Sequence, residues 1–182
     1  MDIFFAALHV SFFAPVLFRA KTSVLADVVA GARKLAMVLH RAGLLLLWVG
    51  VALAFIQGRV LRAVTVRGML GAVLLFGGAP LMAWSIAALR SWRLLPTIGA
   101  GHELCTTGPY GFVRHPMYLA IDLLGVGSAA WVGTAPIMLA AAMLVLGGDL
   151  RARLEEGALV EAFGDRYRRY MKDVRRTVPF VY

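Results

Sequence analysis

Cysteine occurs once in the 182 residues, at Cys105, so no intramolecular disulfide can staple the fold. Acidic side chains are scarce, 10 against 19 Lys and Arg, which leaves a formal net charge of +9. In a soluble chain that excess would point to nucleic acid, but no docking motif for nucleic acid is present. The chemical motifs of several enzyme classes are missing too. Gly99-Ala100-Gly101 has no preceding strand and no third glycine, so it is not a dinucleotide fingerprint. No Gly-x-Ser-x-Gly or Walker pattern occurs. His102, Cys105 and His115 do not fall into a metal-ligand spacing, so no metal site is expected. Internal repeats and low-complexity segments are absent as well.

What is abundant is apolar. Hydrophobic residues make up 60% of the chain and the mean hydropathy is +0.77. Those values predict an integral membrane protein. The basic residues then belong at the flanks of membrane spans, facing anionic lipid.

Apolar runs cover residues 3–18, 43–56, 69–89 and 116–148. The first lacks a basic leading region and a small-residue cleavage site, so it reads as a retained span rather than a signal peptide. His9 within it reads as a satisfied polar contact. The second is extended toward Leu35 if His40 and Arg41 snorkel to the interface. The fourth is too long for one helix. Gly133-Thr134-Ala135-Pro136 breaks it into a tight hairpin with short arms. The expected architecture is therefore all-α, with about five transmembrane helices. Residues 1–93 form the N-terminal transmembrane helices and 94–182 a catalytic region, in one structural unit.

With the N-terminus outside and the C-terminus inside, sixteen of the nineteen Lys and Arg fall on the cytoplasmic side. Only Arg59, Arg62 and Arg67 fall outside. The loop 91–115 and the tail from Asp149 then share the cytoplasmic face. Within the tail, Leu150, Leu154, Leu159, Phe163, Tyr167, Tyr170 and Val174 recur at helical intervals. That spacing predicts a cytoplasmic amphipathic helix, bent at Gly164, restarted with Asp165 as its cap, and ended by Pro179. The short loops suit a prokaryotic inner (plasma) membrane.

Three groups of residues could carry chemistry. Gly108-Pro109 marks a turn, and Pro116 suits the first turn of a helix opened by His115. The N–H groups of that helix end, with Arg114 and His115 beside them, could seat a carboxylate or phosphate. The plainer use of Arg114 and His115 is as interface anchors. The second group is Arg151 with Glu155 and Glu156, where Arg151 and Glu155 share one helix face. Those carboxylates need partners: a cationic ligand, Arg151 or Arg114. An ordinary solvated i,i+4 pair is the alternative. The third is Asp122, the lone charge within 116–148, which either lines a polar cavity or is buried against a partner.

Taken together, two motifs in this order resemble the isoprenylcysteine carboxyl methyltransferase family and its phospholipid methyltransferase relatives. The first runs His102, Leu104, Gly108, Tyr110, Arg114, His115, Pro116, Tyr118. The second runs Arg151, Glu155, Glu156, Phe163, Gly164, Tyr167, Tyr170, Val174, Arg175, Pro179. The likeness covers roughly residues 94–182; the first half of the chain shares only its transmembrane character. The resemblance implies an S-adenosylmethionine-dependent methyltransferase. It implies that His102, Glu103, Leu104, Cys105, Tyr110, His115, Pro116, Met117, Tyr118 and Glu155 wrap the cofactor. It gives Arg151 to the acceptor, and Arg151 and Arg114 to catalysis. Ala120 stands where the family has glycine, which is expected to narrow the cofactor pocket. The implied acceptor is a lipophilic or lipidated molecule entering from the bilayer, foremost a carboxylate, with a lipid amine or a thiol as alternatives. Two readings of other classes compete. One is a membrane reductase using NADPH, which the Glu155-Glu156 pair argues against. The other is a non-catalytic membrane subunit.

Overall fold

A computed structural model describes residues 30–60, 65–89 and 104–179. The span expected over residues 3–18 lies outside them, as do His9, His102 and Glu103. The described chain is helical: α1 (Ala30–Ile56), α2 (Val66–Ala88), a short 3-10 turn (Gly108–Gly111), α3 (Pro116–Val132), α4 (Ala135–Phe163) and α5 (Asp165–Asp173). Among the described residues the one β feature is an isolated parallel bridge between Val113 and Arg175. Three helices, α1, α2 and α4, are long and apolar enough to cross a bilayer, while α3 has 17 residues. Large apolar side chains such as Leu45, Ile56, Leu70 and Val73 lie exposed on the outer faces. In a bilayer those faces meet lipid, and the chain is a membrane protein.

Two boundaries differ from the expectation. Helix α1 begins well before its apolar run because residues 30–42 are rich in Ala, Leu, Lys and Arg, good helix formers. His40 does not snorkel: it is buried at 3% exposure inside the bundle, and only Arg41 is exposed. The amphipathic tail is not a separate helix from Asp149 either. No breaker stands between the apolar run and the Arg-Ala-Arg-Leu-Glu-Glu stretch, so α4 continues without interruption to Phe163. Gly164, with φ +53°, makes the break. Asp165 is the first residue of α5 rather than its cap. That helix stops at Asp173, before Pro179, because Val174 turns extended and leads into the Val113–Arg175 bridge.

Helix α1 runs antiparallel to α4, with Gly43 against Met143 and Gly50 against Ile137. Helix α2 packs on α3, where Gly71 and Gly127 meet face to face. Helices α3 and α4 join through Gly133, whose φ of +68° only glycine adopts readily. Leu47, Leu75, Met82, Leu124, Ile137 and Leu144 fill the centre. Ala120, where the family has glycine, is fully buried in this core. The start of α1, the end of α2, the start of α3 and the C-terminal part of α4 therefore gather at one end of the bundle.

The Gly71–Gly127 contact sets the α2–α3 spacing. A Cβ at Gly71 would lie 2.6 Å from the Gly127 carbonyl oxygen and 2.7 Å from Trp131 N, both backbone. Gly71→Ala is expected to destabilise by about 1–3 kcal/mol, read as a lower melting temperature in detergent. Gly77→Ala, on the same helix with nothing within 4 Å, is expected to leave it unchanged or raised.

Candidate active site

The charged residues converge at that gathered end. His115 caps α3 and Pro116 occupies its first turn, as proline's fixed φ favours. The helix end is poorer in free donors than its sequence promised. Pro116 has no N–H, and the N–H groups of Tyr118 and Leu119 both donate to the His115 carbonyl, at 3.1 Å each. Tyr118 follows one turn on and lies over α4, where Glu155 and Arg151 rise to meet it. The Tyr118 hydroxyl donates to Glu155 Oε1. The Arg151 guanidinium sits 5.3 Å from the centre of the Tyr118 ring and 3.9 Å from Glu155 Oε1. His115 stacks on Tyr118 at 5.8 Å. Its Nδ1 lies 3.8 Å from Glu155 Oε2, beyond hydrogen-bond reach. About a third of each of the Arg151 and Glu155 side chains is open to the surroundings. Arg151 and Glu155 are the partly open members of this cluster, and His115 and Tyr118 are its buried members, at 7% and 8% exposure.

Arg114 and Glu156 lie beneath it. Arg114 donates through Nε and Nη2 to Glu156 Oε1, at 2.8 and 2.6 Å. Its Nη1 donates to the carbonyls of Met171, at 3.1 Å, and Val174. Arg176 donates to the other carboxylate oxygen, Glu156 Oε2, at 3.0 and 2.8 Å. Glu156 is 4% exposed. Arg114 thus faces a buried carboxylate and the chain's own carbonyls, not the open cluster. His115 Nε2 is 3.5 Å from Glu156 Oε1 but makes no aligned hydrogen bond.

The backbone reinforces this arrangement. Arg114 N donates to the Arg175 carbonyl at 2.7 Å and His115 N to the Arg176 carbonyl at 2.9 Å. The Tyr170 hydroxyl donates to the Tyr110 carbonyl at 2.5 Å. Burial raises the phenols of Tyr110, Tyr167 and Tyr170 above the usual tyrosine range, so all three stay protonated, although the buried Tyr167 hydroxyl makes no hydrogen bond among the described residues. For Tyr110, the neighbouring Cys105, Tyr170 and Glu155 push in the same direction.

The remaining residues assigned from sequence are spread more widely. Cys105 is half-buried and its thiol points at the Ala88 carbonyl at the end of α2, 3.5 Å away. Leu104 precedes it, half-buried. Pro116 is buried, and Met117 packs against the apolar core. Sequence reasoning did not single out Arg176, and it treated Glu156 only as half of a pair. The signal for Arg176 was weak: Arg175 and Arg176 are adjacent, and only the extended path of the tail turns Arg176 inward while Arg175 stays exposed.

A lipid-facing helical bundle with an ionic, tyrosine-lined cluster at one end defines a helical membrane protein. The chain belongs to the phospholipid methyltransferase family, whose model matches residues 66–166, more than half its length. It is also 33% identical over 81 residues to protein-S-isoprenylcysteine O-methyltransferase of Schizosaccharomyces pombe. That alignment covers 44% of this chain and 34% of the relative, so the chain spans about a third of the relative's length.

The ion pairs of Glu156 generate a stability prediction. Glu156→Leu leaves Arg114, whose side chain is 7% exposed, without its counter-charge, while Arg176 keeps Asp149 at 3.5 Å. The expected loss is about 3–5 kcal/mol, seen as a large drop in melting temperature. Glu161→Ala, on the exposed face of the same helix, is expected to leave it nearly unchanged.

Proposed function

We propose that the protein transfers a methyl group from S-adenosylmethionine to a carboxylate of a lipophilic acceptor at the cytoplasmic face of its membrane. The observation that carries this reading is the cluster of His115, Tyr118, Arg151 and Glu155, partly open at Arg151 and Glu155 and lying inside the stretch matched by the family model. A second reading, methylation of a lipid amine, is favoured by the family's description.

The donor set suits the cofactor. Its ammonium and ribose hydroxyls need an acceptor, and its carboxylate needs a donor. Glu155 is partly open, with one oxygen on Tyr118 and the other beyond hydrogen-bond distance of any described donor. His115 turns Nδ1 toward Glu155, 3.8 Å from Oε2, and Nε2 toward the buried Glu156, 3.5 Å from Oε1. Glu155 would take the ammonium or ribose, and His115 the carboxylate. Tyr110 and Cys105 lie within electrostatic reach of each other near this cluster. S-adenosylmethionine supplies the electrophilic methyl on its sulfonium.

The rest follows from what the chain's own side chains do. A carboxylate acceptor has an ordinary pKa near ~3.5 and is ionised already, so no general base is required. The remaining tasks are alignment and exclusion of water. Arg151, whose planar fork matches a carboxylate, would orient the acceptor. Its stacking on Tyr118 fixes where that fork points. Arg114 is a positioning residue, because it acts through Glu156 and through the backbone that carries His115. The acceptor reaches the cluster from the bilayer and the cofactor from the aqueous side.

Calorimetry with S-adenosylhomocysteine on detergent-purified protein tests the reading; no binding up to millimolar ligand would overturn it. Arg151→Lys keeps the charge but loses the fork. Turnover is expected to collapse while cofactor affinity stays within about threefold, ~0.65 kcal/mol. Glu155→Gln is expected to weaken cofactor binding instead. If both variants lower the melting temperature equally and neither changes cofactor affinity, the two residues form only a structural bridge. A labelled-methyl screen of membrane extract separates the acceptor classes, since an amine product removes the role given to Arg151.

A further inference from the structure

A cavity of about 250 Å³ shares no lining residue with the ionic cluster: Gly111, Phe112, Lys172, Asp173 and Arg175 line it. It lies where the turn before α3 meets the tail after α5, beside the Val113–Arg175 bridge. Its residues are neighbours of those that build the Glu156 hub. Arg176 turns inward to Glu156, while Arg175 lines the cavity. The Met171 carbonyl accepts from Arg114, while Lys172 lines the cavity. Lys172 and Arg175 are exposed and have no ion-pair partner among the described residues.

The apolar member of the lining marks its depth. Phe112 is 60% exposed, and its ring lies 6.2 Å from that of Trp84, which is also exposed. Trp84 stands about one turn before the end of α2, whose last residue is Ala88. That helix is long and apolar enough to cross a bilayer, so its last turns lie at the lipid–water boundary. The turn that carries the cavity touches the same ring: a Cβ at Gly108 would lie 3.3 Å from Trp84 Nε1. Exposed aromatic rings at a span end, with cations beside them, suit the headgroup layer of a bilayer. The surrounding charge agrees. Residues 165–175 carry five cations against two carboxylates, and one of these, Asp165, is already paired with Arg168 at 3.2 Å.

We propose that this cavity holds the headgroup of an anionic phospholipid from the surrounding leaflet, a lipid distinct from the methyl acceptor. Two cations and one carboxylate in the lining leave one net positive charge. That complements a phosphodiester, which carries a single negative charge. A free phosphomonoester, with a second pKa near ~6, is close to a dianion at neutral pH and meets repulsion from Asp173. The volume falls short of the roughly 300–1,000 Å³ of pockets that enclose a drug-sized molecule, so it suits a headgroup and leaves the acyl chains in the bilayer. Lys172 and Arg175 donate to the phosphate oxygens, Asp173 accepts from hydroxyls of a glycerol headgroup, and Phe112 lies against the start of the chains. A lipid seated there joins the turn before α3 to the tail after α5, the junction whose backbone hydrogen bonds hold His115.

Native mass spectrometry of the detergent-purified full chain, titrated with dioleoylphosphatidylglycerol or dioleoylphosphatidylcholine, tests the proposal. The anionic lipid is expected to bind about tenfold more tightly, the order of effect of two basic residues offset by one carboxylate. Lys172→Gln with Arg175→Gln is expected to bring that ratio close to one. Lys34→Gln with Arg41→Gln removes two exposed cations of α1 at the same end of the bundle and is expected to keep the preference. All four side chains are exposed, so both double variants are expected to melt as the parent does in lipid-free detergent. Glycerol 3-phosphate, a soluble source of similar chemistry, is expected not to displace the lipid at millimolar concentration. Equal binding of the two lipids, binding of neither, a preference that survives the Lys172 and Arg175 substitutions, or an equal loss in the α1 variant overturns the site. Displacement by glycerol 3-phosphate overturns its assignment to a lipid.

Discussion

The carboxylate of Glu156 sits between the guanidiniums of Arg114 and Arg176, and the charged end of the bundle is assembled around it. One oxygen receives two N–H groups from Arg114 and the other two from Arg176. Those arginines come from opposite sides of the sequence: the loop before α3 and the tail after α5. A buried charge that lost either partner would carry much of its desolvation cost unpaid, and Asp149, 3.5 Å from Arg176, adds a second anion to the group. Arg114 then fixes the tail a second time by donating to the Met171 and Val174 carbonyls. With the tail held, the Arg175 and Arg176 carbonyls accept from Arg114 N and His115 N. Both the position of His115 and the start of α3 depend on that arrangement.

Adjacent carboxylates on α4 consequently do different work. Consecutive helical residues point about 100° apart. Glu156 turns into the ionic hub, and Glu155 turns to the open cluster with Tyr118 and Arg151. This separation lets a fully paired buried carboxylate stand next to one that is partly exposed. Tyr118 links the two levels of the bundle, since its hydroxyl reaches Glu155 while its ring lies against His40.

Below the charged end, the bundle follows membrane packing rules. Lipid and core are equally apolar, so helices gain by close approach rather than by hiding hydrophobic surface. Glycines at the α2–α3 and α1–α4 contacts permit that approach. Buried hydroxyls close on their own helices: Ser85 and Ser128 donate to the carbonyls of Leu81 and Leu124, four residues back. His40 and Asp122 are the exceptions to this economy, each with a buried atom that has no hydrogen bond.

The sequence by itself determined the helical, membrane-embedded character and the break at Gly133, since apolar run length and turn chemistry are local properties. It also determined that His115 opens a helix at Pro116, because proline's fixed φ and missing N–H act on the adjacent turn. It marked the stretches that carry the ionic residues, since charges next to membrane spans are few and conspicuous. Partner choice was decided only by tertiary structure. Nothing local distinguishes Glu155 from Glu156, or Arg175 from Arg176; the direction of each side chain is set by how α4, α3 and the tail meet. His40 was legible only as a residue near a membrane boundary, and packing of α1 on Gly147 turned it inward. The physical reason is the same in each case: helix formation follows nearest-neighbour energetics, while desolvating a charge depends on which distant groups arrive to pair with it.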